Sequence, residues 1–151
     1  MATTVTPQSL IVSVAESITI NGTAYTQTTT KTLSSITNVS KRIHTIPAAT
    51  TTTLATFAST GDGQNFDVEE VKYIRLTNLD DTENLIVTTA FSATSAALEI
   101  KPGCSITLFS PNGNGATSKA AITTQDDIET LFVRNNHGGN AVDLEVFVAT
   151  T

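Results

Sequence analysis

Threonine makes up about a fifth of this 151-residue chain, and that feature most restricts what the chain can fold into. Threonine is branched at Cβ, so it loses side-chain freedom in a helix and fits the pleated, half-exposed surface of a sheet. Charged residues, which normally cover exposed helix faces, are only 15% of the chain, against about a quarter in an ordinary domain. The sequence therefore predicts β structure.

The clearest local signal is Asn21-Gly22, which lies between the β-forming runs Ser17–Ile20 and Thr23–Thr26. Both central residues of a type I′ turn need a positive φ, and Asn and Gly adopt a positive φ with the least conformational strain. A β-hairpin is therefore predicted here. The following residues 27–40 are mostly Thr and Ser, and their composition favours a strand or extended chain over a helix.

Further strands are predicted where apolar and β-branched residues run between turn signals. These runs are 10–15, 41–46, 51–57, 71–78, 84–91, 97–100, 104–109, 128–135 and 141–149. Neither face of strand 71–78 is purely apolar. This mixed pattern is expected for a strand that has other parts of the protein packed against both of its faces. We expect it to form a second hairpin with 84–91 through the turn at 79–83. Pro102-Gly103 predicts a type II turn.

One domain is expected, because the length suits a single core and no linker divides the chain. Eight to ten short strands separated by turns are typical of a sandwich or barrel. The predicted fold is an all-β, single-domain antiparallel β-sandwich, jelly-roll-like, covering residues 10–151. Residues 1–9, which are polar and contain Pro7, are expected to form an extended N-terminal arm. The sequence shows no clear repeat.

Charge argues against nucleic acid as a partner. The net charge is −6 and the basic residues are scattered, whereas a phosphate-binding surface needs clustered Lys and Arg. The apolar runs are too short to span a bilayer, so no membrane partner is expected. The start of the sequence lacks the basic and apolar regions of a secretory signal, which predicts a protein made in the cytoplasm.

Reactive residues are few, and each has an ordinary structural interpretation. His44 lies in a strand and His137 in a Gly/Asn turn, with no nucleophile nearby in sequence. Cys104 begins an apolar strand and is interpreted as a small core residue. The acidic pairs 69–70, 80–81 and 126–127 fall at strand edges or turns, where carboxylates are usually solvated. The run 62–67 resembles a calcium loop only faintly and is expected to be a turn. No catalytic, cofactor-binding or metal-binding residue is predicted, and the chain is not expected to be an enzyme.

Three segments resemble small structural proteins of tailed phages, especially phages of marine bacteria. They are Ser17–Thr26, the central Val71–Thr82 with its "YIRLTN" strand and Asp-Asp turn, and the closing strand Val142–Ala149. In such proteins this strand and turn lie within a sandwich or jelly roll. The resemblance implies a protein of the virion, built in the host cytoplasm, and it brings no catalytic residues.

The leading interpretation is a capsid decoration, or cement, protein that stabilises the head by contacts between subunits. Its expected partners are copies of itself, with a trimer as one arrangement, and the major capsid protein or other virion proteins. A tail, neck or fibre component of the virion is the first alternative. A host-surface or carbohydrate-binding module is the second, although scarce Tyr and absent Trp count against sugar binding.

Overall fold

The computed structural model describes residues 5–61, 65–91, 95–109 and 128–151. Within these ranges every regular element is a β-strand, as the composition predicts. The strands are β1 Gln8–Ile20, β2 Thr23–Ile36, β3 Asn38–Ile46, β4 Thr51–Ala58, β5 Phe66–Asp67, β6 Val71–Asn78, β7 Leu85–Ala90, β8 Ser95–Ile100, β9 Ser105–Leu108, β10 Thr130–Asn135 and β11 Val142–Thr150. No helix in the described part of the chain is long and apolar enough to cross a membrane.

Two sheets form an all-β sandwich, which confirms the predicted fold class. One sheet has the order β3-β11-β6-β9 and the other β5-β4-β10-β7-β8. All pairings are antiparallel except the short one between β4 and β5. The chain passes repeatedly from one sheet to the other, and this strand order is that of a jelly roll.

The core lies between the two sheets and is aliphatic. Its fully buried side chains include Ile46, Ile74, Leu76, Leu85, Leu131 and Leu144. The closing strand β11 alternates as its sequence predicts, with Val142, Leu144, Val146 and Val148 turned into the core cluster. Burial of such side chains on alternate positions of every central strand fixes which face of each strand points inward.

The predicted second hairpin between residues 71–78 and 84–91 is wrong. Strand β6 lies in one sheet and β7 in the other, so the connection 79–84 is an arch across the end of the sandwich. Buried Asn78 explains the crossing, because its Nδ2 donates hydrogen bonds to the carbonyl oxygens of Glu83 at 2.7 Å and Ile100 at 3.2 Å. These bonds tie the arch to the neighbouring connection at 100–105.

A second arch, from β10 to β11, repeats this arrangement. Asn135 is also fully buried, and its Nδ2 donates to Asn140 five residues ahead at 2.8 Å and to Ile46 at 3.1 Å. In both arches the asparagine Oδ1 accepts the backbone N–H two residues ahead, from Asp80 at 3.0 Å and from His137 at 2.9 Å. The chain therefore contains a short structural repeat that its sequence does not reveal.

Strands β1 and β2 form the predicted Asn-Gly hairpin, and it is longer than the sequence indicates. Asn21 and Gly22 have φ of 51° and 80°, as a type I′ turn requires. The strands contain 13 and 14 residues and form a two-stranded sheet of their own. Strand β1 begins at Gln8, so the last two residues of the predicted arm region belong to the hairpin.

Candidate interaction surface

The structure places His44 on β3, Cys104 in the connection between β8 and β9, and His137 in the connection between β10 and β11. Cys104 is exposed, so its interpretation as a core residue is wrong. It ends the type II turn of Pro102-Gly103, in which the Cys104 N–H donates to the Lys101 carbonyl at 3.0 Å and Gly103 has a φ of 68°. The core-facing positions of the following strand begin only at Ile106, which packs against the core cluster.

His137 holds one arch in shape and ties it to the other. Its Nδ1 accepts the backbone N–H groups of Gly139 at 3.3 Å and Asn140 at 3.1 Å. Its Nε2 lies 3.1 Å from a carboxylate oxygen of Glu83 in the first arch. Both ring nitrogens are engaged in structural contacts. Asp80 occupies the equivalent position in the first arch. Its carboxylate accepts the backbone N–H groups of Thr82 at 2.8 Å and Glu83 at 2.7 Å.

A polar cleft of about 450 Å³ opens between β3 and the β4–β5 edge. Arg42 and His44 line it from β3, and Asp67 and Glu70 line it from the segment around β5. The two acids belong to one short segment, and Asp67 already accepts a hydrogen bond from the Glu69 N–H at 2.9 Å. Among the described residues, no group of three or more His, Cys, Asp or Glu side chains could hold a metal ion. Residues 62–64 and the pair 126–127 lie outside the described ranges.

The hairpin has two different faces, because residues directly opposite each other in a register lie on the same side. One face carries the apolar side chains. Its cross-strand pairs are Leu10–Leu33, Val12–Lys31, Val14–Thr29, Glu16–Gln27, Ile18–Tyr25 and Ile20–Thr23. The other face carries mainly Ser, Thr and Ala, with the exposed Ile11 near the base, and its Ser13 and Thr30 hydroxyls lie 3.2 Å apart.

Among the described residues, packing against the apolar face is confined to its base. Leu10, Val12 and Leu33 pack against a second hydrophobic cluster of Ile36, Tyr73 and Ala149, with Phe147 beside them. Tyr73 and Phe147 project from the outer face of the sandwich, with their ring centroids 5.9 Å apart in an edge-to-face arrangement. Strand β6 is therefore packed on both sides, as its mixed pattern predicts. The mixed sequence pattern of this strand predicts a second packed face, but it does not show that the hairpin packs there.

Charges on the same outer face hold the adjoining strands in register. Glu145 on β11 binds Lys41 on β3 at 2.8 Å and Arg75 on β6. The Arg75 guanidinium also lies 5.6 Å from the Phe147 ring centre. The hydrogen bond from Lys41, followed by that from Arg75, holds the pKa of the Glu145 carboxyl below its ordinary value, although burial acts in the opposite direction.

Beyond its base the hairpin stands clear of the sandwich. Every residue from 13 to 32 is exposed. The large apolar side chains among them are Val14 at 58%, Ile18 at 56%, Ile20 at 52% and Tyr25 at 58% exposure, all on the apolar face. A two-stranded ribbon in water is marginally stable, so this exposed face is well suited to being covered by another molecule.

No protein-family model and no curated protein sequence matches the chain. Among solved structures, it is similar to a chain from Bacillus endospore appendages, described as a novel family of disulfide-linked pili. The identity is 10%, the alignment covers 95% of this chain and 90% of that chain, and the TM-score is 0.44.

Proposed function

We propose that this chain is a non-enzymatic structural protein of a tailed-phage particle, and within it a capsid decoration protein. The observation that carries the proposal is the projecting hairpin, whose apolar face packs against the described part of the chain at its base alone. Each square ångström of apolar surface removed from water stabilises a contact by about 25 cal/mol. A ribbon that exposes Val14, Ile18, Ile20 and Tyr25 together gains this stabilisation when a neighbour binds to it.

The low charge content of the hairpin also supports assembly. Glu16 and Lys31 are the only charged residues between positions 8 and 36, and Thr and Ser dominate the rest. Hydroxyl groups can hydrogen-bond across an interface, and they avoid the large cost of burying an unpaired charge. Placement in a phage rests on the resemblance of the three sequence segments. The occurrence of jelly rolls in viral capsids adds an analogy at the level of fold.

The test uses a shortened hairpin that keeps the native register. Removing Ser13–Ile20 and Thr23–Thr30 joins Val12 and Lys31, an existing cross-strand pair, through Asn21-Gly22. Particles of the encoding phage that lack this protein are mixed with the full chain or the shortened variant. We expect the full chain to bind in proportion to capsid subunits and to raise the temperature at which particles release DNA. The shortened variant should do neither.

Two outcomes would contradict the proposal. If the full chain does not bind particles, the virion assignment is wrong. If it binds in a few copies at one vertex, the protein is a tail, neck or fibre component and not a decoration protein. Quantitative mass spectrometry of purified particles gives the copy number directly.

A second candidate function, a carbohydrate- or receptor-binding module, is favoured by the polar cleft beside β3. Arg42, His44 and Asp67 offer hydrogen-bonding groups next to the partly buried ring of Phe66, and such a mixture of apolar wall and converging polar groups suits a small ligand. A glycan array probed with the full chain and with His44→Ala tests it. Binding that His44→Ala abolishes would support this function, and the absence of any binding would exclude a carbohydrate ligand.

A further inference from the structure

The outer edge of β1 is an unusually open site for strand pairing. Strand β1 pairs only with β2 in the described part of the chain, so one row of its backbone groups faces outward along 13 residues. Proteins usually protect such edges with proline, lysine, bulges or short length. From Leu10 to Ile20 this strand has no proline, glycine or lysine, and its register with β2 is regular.

We propose that β1 pairs edge to edge with β1 of a second copy, antiparallel, about a two-fold axis at Val14. This inference rests on the proposed assembly function and specifies its partner. It produces a continuous four-stranded sheet in the order β2-β1-β1-β2. Strand addition of this kind gains affinity from main-chain hydrogen bonds and specificity from the side chains on each face.

The register follows from the faces and from the strand bounds. The two apolar faces lie on the same side of the joint sheet only if even-numbered residues oppose even-numbered residues, because a slip of one reverses every side chain. Val14 is the central residue of Gln8–Ile20. An axis at Val14 therefore pairs β1 along its whole length and gives the largest number of ladder hydrogen bonds.

Charge selects the same register. Glu16 and Lys31 lie on the apolar face, and neither has an ion-pair partner among the described residues. Within the hairpin, Glu16 opposes Gln27 and Lys31 opposes Val12. With the axis at Val14, Glu16 of one copy opposes Val12 of the other. Glu16 then shares a row with the second copy's Lys31 across that small valine, twice per dimer.

Packing is also consistent with this arrangement. The same register sets Ile18 of one copy opposite Leu10 of the other, so the row reads Tyr25, Ile18, Leu10, Leu33 across the four strands. Leu10 and Leu33 already pack against the outer face of their own sandwich. The exposed tip of each hairpin thereby extends the second hydrophobic cluster of its neighbour.

Charge reversal tests the pairing and its register together. Sedimentation equilibrium of the purified full chain should show a dimer. Glu16→Lys and Lys31→Glu each replace two attractive pairs by two repulsive pairs, and each should raise the dimer Kd about 5- to 30-fold. The double variant Glu16→Lys/Lys31→Glu should restore the original Kd. Glu69→Lys makes the same charge change at an exposed turn residue outside the hairpin and serves as the matched control.

Several results would overturn the inference. A full chain that is monomeric or trimeric in solution contradicts the two-fold pairing, as does a double variant no tighter than the single variants. If such a chain still binds phage particles, the proposed function stands and the pairing alone is wrong. If the chain dimerises as described but does not bind particles, the pairing stands and the proposed function fails.

Discussion

Single buried asparagines decide how this chain passes between its two sheets. Asn78 and Asn135 each donate two hydrogen bonds to backbone carbonyls of two different connections and accept one N–H. No shorter or apolar side chain can replace these contacts. A buried carbonyl that loses its donor bears the cost of its lost solvation. These two residues therefore stabilise one whole end of the sandwich.

Asn135→Ala should lower the free energy of unfolding by about 2–4 kcal/mol, because it leaves the carbonyls of Ile46 and Asn140 without this donor. Asn78→Ala should cost a similar amount for the same reason. Exposed Asn136 provides the matched control, and Asn136→Ala should change stability by less than about 0.5 kcal/mol. Urea unfolding followed by circular dichroism measures all three. Equal effects at Asn135 and Asn136 would contradict this role.

Glu145 makes stability depend on pH in a defined direction. Lys41, and then Arg75, lower the pKa of the Glu145 carboxyl in the folded protein from its ordinary value of 4.5. A carboxyl with a lowered folded pKa contributes stability above its unfolded pKa, and that contribution is lost as the pH falls through the folded pKa. Glu145→Gln should therefore be less stable than the unmodified protein at pH 7, and the difference should shrink below about pH 4.5.

Urea unfolding at a series of pH values between about 7 and 3 measures this difference. Asp80, whose pKa is lowered by N–H bonds from Thr82 and Glu83, is present in both proteins, so its contribution cancels. Glu69→Gln, at an exposed turn residue, is the control and should track the unmodified protein. Parallel stability curves for Glu145→Gln and the unmodified protein would show that ionisation of Glu145 contributes nothing to the pH dependence of stability.

At the scale of elements, sequence predicts what is local and misses what depends on distant partners. Asn21-Gly22 identifies its hairpin because the turn conformation is a property of two residues. The segment 79–83 has equally good turn residues, yet β6 and β7 lie in different sheets. The arch between them is held by Asn78, whose side chain donates to the carbonyl of Ile100, 22 residues away. That contact has no local signature.

For a similar reason, the sequence indicates only one of the two strands that form the interaction surface. Leu10, Val12, Val14, Ile18 and Ile20 alternate along β1 and could have indicated a strand with one apolar face. Their partners in β2 are Leu33, Lys31, Thr29, Tyr25 and Thr23. Three of these five are polar, so no continuous apolar pattern marks the second strand. The register of the two strands, fixed by the turn, shows which residues share that face.

The shortened hairpin should leave the sandwich intact. Residues 13–32 are exposed, and the contacts to the second hydrophobic cluster come from Leu10, Val12 and Leu33, which the variant keeps. We therefore expect its free energy of unfolding to match the full chain within about 0.5 kcal/mol at low protein concentration. Leu33→Ala, at the packed base, should cost more. Urea unfolding compares them, and a large loss in the shortened variant would mean that the projecting part supports the fold.

At the scale of the whole molecule, the nested pairing of strands gives one cooperative body with one projecting ribbon. The pairs are β3 with β11, β4 with β10, β6 with β9 and β7 with β8. Strands from the first half of the sandwich therefore pair with strands from its second half, in reverse order. Long-range contacts of this kind resist local opening, because the central strands β6, β10 and β11 cannot separate without exposing the core. The hairpin shares only its base with that body.

Native-state hydrogen exchange should resolve these two parts. Amides of β6, β10 and β11 should exchange only through global unfolding, because these strands have neighbours on both sides. Amides between Ser13 and Thr30 should exchange through local opening at much lower free energy in dilute protein. At concentrations above the dimer Kd, alternate amides of β1 should gain protection, because those groups face the free edge, while outward-facing amides of β2 should not. Equal protection of hairpin and sandwich in dilute protein would contradict the local opening of the hairpin. Protection gained along β2 instead of β1 would place the contact between copies at β2.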